Sequence, residues 1–236
     1  MIVLGIDTAT PLTAAALLDT KAGLELEAHH QPQEGERPGH TTELLALVYQ
    51  LFHQAKFGWE HVERIAVGVG PGMFTGMRVG IATARAFAQS RQIDLVGVST
   101  LQALANGAYD QLQSPEKLAI VTVLPAGKGE VFAAAFQGKQ IILGPSAYEP
   151  AALSKQLGDM KALAIGNGAL QLLEAQSEHK IEVPPANSPL HRLDARYICR
   201  IGSAEDRQID GSRVLPTYLR PANAKPLPKK SKDLRQ

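Results

Sequence analysis

Cysteine is nearly absent: Cys199 is the only one in 236 residues, which excludes an internal disulfide and a thiolate zinc site. Charge of one sign is lacking as well. The 24 Lys+Arg stand against 23 Asp+Glu for a net of +1, so no overall basic field holds nucleic acid or a membrane. Tight RNA binding by this chain alone is disfavoured. No apolar stretch approaches the ~20 residues of a membrane helix, and the opening Met-Ile-Val-Leu-Gly-Ile-Asp lacks the positive region of a signal peptide. These absences lead us to expect a soluble, cytoplasmic protein with no membrane partner. The seven histidines contain no pair at i, i+3 or i, i+4, the spacing that puts two imidazoles on one helix face around a metal, so no metal site is expected.

The length suffices for one large domain or two small ones without staples. What basic excess exists is terminal: Pro221 to Gln236 carries a net of +4, leaving −3 for the remainder. With three prolines and little apolar content, residues 221–236 read as a basic disordered tail.

Along the rest of the chain two periods alternate. Ile2 to Asp7, Thr13 to Asp19 and Gly23 to His29 read as three strands, followed by a helix from a Thr41 cap to about Ala55, a strand from Arg64 to Val69 and a helix from Thr75 to Ser90. Asp94 to Val98 adds a strand and Leu101 to Leu112 a helix. The second half repeats this order. Strands at Leu118 to Leu124, Val131 to Gln137 and a shorter Gln140 to Leu143 precede a helix from Pro150 to Leu157 and a strand from Ala162 to Ile165; Ala169 to Ala175 and Asp194 to Ala204 are then helical. A strand trio followed by helix and strand, occurring twice, predicts a duplicated α/β molecule of the actin, hexokinase and Hsp70 type: an actin-like (ASKHA, ribonuclease H-like) fold with two mixed sheets flanked by helices. Its halves are placed at 1–115 and 116–220. A single doubly wound domain is the competing architecture.

The most specific segment runs from Gly70 to Ala88. Gly70 and Gly72 around Pro71 make a tight strand-to-helix turn, a place where open α/β sheets put ligands. It is not a Walker motif, since Met77 and Arg78 stand where Lys and Ser/Thr would follow the last glycine. Gly76, Gly80, Ala84 and Ala88 recur every four residues, a row of small side chains that lets another backbone approach. Close packing is preferred here over phosphate binding.

This stretch resembles the signature of the bacterial TsaB (YeaZ) family. Further resemblances are the opening Ile6-Asp7-Thr8-Ala9-Thr10, His40 at the head of a Leu-rich helix, Val96-Gly97-Val98-Ser99, Gly166-Asn167-Gly168 and Pro216-Thr217-Tyr218-Leu219-Arg220. The resemblance implies an actin-like, cytoplasmic, non-catalytic subunit that binds and activates TsaD in making threonylcarbamoyladenosine beside the tRNA anticodon. TsaE is the implied third, ATP-hydrolysing member, and tRNA is reached only through the complex. One departure stands out: where the family has an acidic-Ala-Arg turn before Glu-Val-Tyr, this chain has Leu124-Pro125-Ala126-Gly127-Lys128-Gly129 before Glu130-Val131-Phe132.

Chemistry points the same way. An ATP-using member needs carboxylates at the phosphate cleft from both halves to hold Mg²⁺ and neutralise developing charge. The first half offers Asp7; the second has Leu124 at the matching position, and Thr8-Ala9-Thr10 lacks a glycine that would let amides wrap a phosphate. Asp7 and Thr8 are therefore only nucleotide-proximal candidates, no cofactor is expected to be bound catalytically, and ATP or ADP is assigned at most to the complex interface. The alternative is an active ATP-dependent small-molecule kinase of the same superfamily. A zinc peptidase is disfavoured by the histidine spacing, and Cys199, within an apolar run, reads as core packing rather than a nucleophile.

On the first helix Leu44, Leu47, Val48, Leu51 and Ala55 form one core-facing stripe of roughly 100°, while Leu45, Tyr49 and Phe52 fall outside it. That excess of large apolar groups predicts a partner surface. The interface is expected at His40, Leu45, Tyr49 and Phe52 on this helix and at Phe74, Gly76, Arg78, Gly80 and Arg85 on the next. It would serve a heterodimer with TsaD and a homodimer when the chain is alone.

Overall fold

A run of buried apolar residues can sit in the middle of a sheet only if both its edges are paired, and β1 (Ile2–Asp7) does so. In the computed structural model, which describes residues 1–33, 35–113, 118–176, 181–205 and 211–220, β1 pairs antiparallel with β2 (Thr13–Asp19) and parallel with β4 (Arg64–Gly68). With β3 (Leu24–His30) and β5 (Asp94–Val98) at the edges, the first sheet has the order β3-β2-β1-β4-β5. The second repeats it as β8-β7-β6-β9, built from β6 (Ala119–Gly127), β7 (Glu130–Gln137), β8 (Gln140–Tyr148) and β9 (Ala162–Ile165), with β9 parallel to β6 and the trio antiparallel. This is the duplicated actin-like architecture, and the single doubly wound sheet is set aside.

Local differences from the expected elements have physical causes. Helix α1 (His40–Ala55) starts from Gly39, whose carbonyl accepts the Thr42 and Glu43 amides and the Thr42 hydroxyl; Thr41 lies inside the first turn and does not cap it. β8 spans nine residues rather than four, because its exposed, edge position tolerates the polar and glycine-proline segment after Leu143, and its register with β7 shifts there. Helix α2 covers Phe74–Arg91, and α3 (Thr100–Leu112) is capped by Ser99 Oγ, which accepts the Gln102 amide. Helices α4 (Pro150–Leu157) and α5 (Ala169–Ala175) flank the second sheet, and α6 (Ala195–Ala204) begins at Asp194, whose carboxylate accepts the Arg196 amide at 2.9 Å.

The halves exchange their closing helices. α3 packs on β6, β7 and β9 of the second sheet, whereas α6 crosses back over β1, β2 and β4 of the first. Gly5 makes that crossing possible, since a Cβ there would lie 2.6 Å from Cys199 Sγ and 2.9 Å from the Ala195 carbonyl. A division near 115 thus separates the sheets but not the helices, and one core joins Val3, Val96 and Leu101 to Ile120, Phe136, Ile165 and Ile198. Arg64, buried in β4, ties the end of α6 down by donating to the carbonyls of Gly202 (2.9 Å) and Glu205 (2.7 Å). Cys199 is fully buried, and desolvation pushes its thiol far above the ordinary range. The basic tail at 221–236 lies outside the described residues. Among them, no helix is long and apolar enough to cross a membrane.

Candidate partner surface and the interdomain cleft

The glycine row of α2 is filled from within the chain. The loop after β1 lies so close that a Cβ at Gly72 would overlap the Ala9 carbonyl, one at Gly76 the Thr8 carbonyl, and one at Gly80 the Thr8 hydroxyl. Polar groups fasten this contact: the Met73 amide donates to Ala9 at 2.7 Å and the Thr8 hydroxyl to the Gly76 carbonyl at 2.7 Å. His40 is the third member, with Nδ1 at 2.8 Å from Thr13 Oγ1, Nε2 buried without a partner, and desolvation holding its pKa below the ordinary histidine value. The small residues therefore serve close packing of α2 on β1 and α1, as the four-residue spacing indicates.

Asp7 ends β1 with no exposed surface. One carboxylate oxygen accepts the Ala9 amide at 2.7 Å and the other the Thr100 hydroxyl at 2.8 Å. Burial outweighs both bonds and raises its pKa from 3.8 to about 6. Beyond it a cleft of about 380 Å³ opens between the halves, lined by Thr10, Leu12 and Thr100 on one side and Leu124, Asn167 and His191 on the other. Leu124 thus gives the second-half side of this cleft an apolar wall. Within the second half, His191 is committed to structure, with its ring nitrogens 3.1 Å from the main chain of Gly166 and from the Pro184 carbonyl.

The outer faces of α1 and α2 differ from this interior. Leu45 is 52% and Tyr49 75% exposed, one helical turn apart. At the start of α2, Phe74 and Tyr218 lie 5.4 Å apart, and the Arg78 guanidinium stacks 3.7 Å from the centre of the Phe74 ring while its Nε donates to the Tyr218 hydroxyl at 2.9 Å. Met73 and Leu215, neighbours in the chain of these segments, are exposed as well. Segment 214–220 reaches α2 because the Thr217 amide donates to the Val69 carbonyl, Arg85 donates to the Val214 carbonyl, and Arg220 pairs with Glu130 in the second half.

Of the expected interface residues, Leu45, Tyr49, Phe74 and Arg78 are exposed on the outer sides of these helices, and Arg85 is half-buried. Four are not available to a partner: His40, Phe52, Gly76 and Gly80 are buried. Phe52 is covered because the loop after α1 folds back over it, placing Trp59 edge-on at 5.0 Å, itself against Phe87 at 4.3 Å. A single-helix projection sees no such cover. Met73, Leu215 and Tyr218 were missed; for Tyr218 the signal was the Pro216–Arg220 motif, whose contact with α2 spans some 140 residues of chain.

Two like sheets, a cleft between them and crossed closing helices define the class as a duplicated actin-like protein. The family model described as "TsaD: tRNA N6-adenosine threonylcarbamoyltransferase" matches residues 28–188. The chain belongs to that family and, within it, to the TsaB (YeaZ) group. It is 33% identical to the Escherichia coli K12 "tRNA threonylcarbamoyladenosine biosynthesis protein TsaB" over 139 residues, 58% of this chain and 55% of that protein, so this match spans about half the relative's length. The Haemophilus influenzae protein of the same name matches at 26% identity over 233 residues, 92% of each chain. The structure titled "YeaZ from Pseudomonas aeruginosa" superposes with a TM-score of 0.76 at 22% identity, covering 92% of this chain and 99% of that one, a likeness of fold.

Proposed function

We propose that this chain is a non-catalytic subunit in the synthesis of threonylcarbamoyladenosine on tRNA, docking on TsaD through the outer faces of α1 and α2 and activating it, with TsaE as the third component. The names of the relatives supply the pathway. The observation that carries the mode of action is the exposure of large apolar and aromatic groups there, Leu45 and Tyr49 on α1 and Phe74 on α2 with Arg78 and Tyr218 stacked beside it. Aromatic residues and an arginine concentrated on one face are the composition of interface cores. Against catalysis by the chain itself weigh the internal hydrogen bonds to both Asp7 oxygens and the apolar Leu124 opposite. These also weigh against the kinase alternative, whose Mg²⁺ would need free carboxylate oxygens. In this reading tRNA is engaged in the complex, nucleotide belongs to the partners or their interface, the setting is the cytoplasm, and the same face closes a homodimer when TsaD is absent.

The test is reconstituted threonylcarbamoylation with TsaD, TsaE, tRNA and preformed threonylcarbamoyl-adenylate. Leu45→Glu and Tyr49→Asp should keep native circular dichroism, sediment as monomers and lose the stimulation. Full stimulation by folded variants would move the docking surface elsewhere, with the Gly166-Asn167-Gly168 side next to be examined.

A further inference from the structure

At the end of α1 remote from the glycine loop lies a second concavity, of about 580 Å³, between the last turn of α1, the loop 56–60 and the end of α2. Its apolar wall is aromatic: Phe57 and the single tryptophan of the chain, Trp59, line it, with Tyr49 only where it borders the proposed docking face. Trp59 is held by Phe52 and Phe87 and presents a fixed surface. The rim is basic, with His53, Lys56 and Arg91 around one acid, Glu60.

Two helix C-termini meet here, and cations commonly sit at such ends to answer the exposed carbonyls. That need is met largely by main chain: the Lys56 and Phe57 amides take the His53 and Phe52 carbonyls, and the Ile93 amide takes that of Ala88. The Glu60 carboxylate lies 3.2 Å from His61 Nδ1. The side chains of Lys56 and Arg91 are exposed and make no hydrogen bond or close ion pair among the described residues, although Arg91 is near enough to Glu60 to help lower its pKa. An aromatic wall beside two exposed cations fits a planar, anionic group better than an aliphatic side chain or a sugar.

We propose that this pocket receives an unstacked nucleotide of a single-stranded RNA segment, its base against the aromatic wall and adjoining phosphates on Lys56 and Arg91. The proposal rests on the tRNA-related reading above and adds a direct contact with the nucleic acid by this subunit. Because only two cations take part and the chain's net charge is +1, binding by the isolated chain is weak and salt-sensitive. Two phosphate contacts on a single strand give a log–log salt slope of about −1.4, or roughly sevenfold weaker binding between 50 and 200 mM salt.

Trp59 makes occupancy visible, since no other tryptophan contributes to emission. The purified full chain is titrated with a single-stranded tetraribonucleotide, the matching nucleoside monophosphate, a duplex RNA of equal length and heparin. The expected result is saturable quenching by the single strand with the salt slope above, and little response to the others at equal concentration. Lys56→Glu and Arg91→Glu, both at exposed positions outside the proposed docking face, should each weaken it severalfold and flatten the salt slope. Unchanged emission, equal quenching by heparin or duplex, tighter binding of the monophosphate than of the tetranucleotide, or indifference to both substitutions would each overturn the proposal. None of these outcomes bears on TsaD stimulation, so the two readings fail separately.

Discussion

Replacing Asp7 by Asn should make this protein more stable at neutral pH. Asp7 is wholly buried and its pKa stands at about 6, raised from 3.8 by desolvation. A carboxyl whose folded pKa is raised favours the native state when protonated; its contribution is fully present below the unfolded pKa and is lost as pH rises through the folded one. At 1.36 kcal/mol per pKa unit, the ionised group at pH 7 costs roughly 3 kcal/mol relative to a neutral one. Asn supplies a neutral group of the same shape: its oxygen can still accept the Ala9 amide, and its NH₂ can donate to the Thr100 hydroxyl, which now accepts. The measurement is urea unfolding of both proteins from pH 4 to 8. The Asn variant should lead by about 1–3 kcal/mol at pH 7.5, and the gap should shrink between pH 6 and 4 as the wild-type carboxyl takes up its proton. An Asn variant no more stable at pH 7.5, or a gap independent of pH, would refute the reasoning and leave Asp7 as an anion stabilised by its surroundings.

Gly76→Ala should lower stability by about 1–3 kcal/mol through overpacking against the Thr8 carbonyl, seen as a melting temperature lower by roughly 2–12 °C. Phe52→Ala should cost about 3–5 kcal/mol in chemical unfolding because it empties a site walled by Trp59, whereas Leu45→Glu should stay within about 0.5 kcal/mol of wild type. Cys199, buried and held as a thiol, should not react with an aromatic disulfide reagent in the native protein and should react fully once denatured.

Much of the molecule is written locally in the chain. Apolar runs of period two and stripes of period 3.6 are properties of neighbouring residues, so β1, β2, β5, α4 and β9 could be placed from composition along the chain alone, and their repeated order announced the duplication. The glycine row of α2 announced close packing, because a missing side chain matters only where something approaches. The identity of what approaches was not local: Thr8 and Ala9 come from the β1–β2 loop some 70 residues earlier. The same distinction divides the candidate interface. Leu45 and Phe52 are both large, apolar and outside the core stripe of α1, yet one is exposed and the other covered, since Trp59 and Phe87 arrive from other elements. Tyr218 joins Phe74 and Arg78 only because the segment after α6 returns across the first half. A helical projection counts the neighbours a residue has along its own helix, while exposure depends on every element that folds over it, and that is decided only when distant parts of the chain come together.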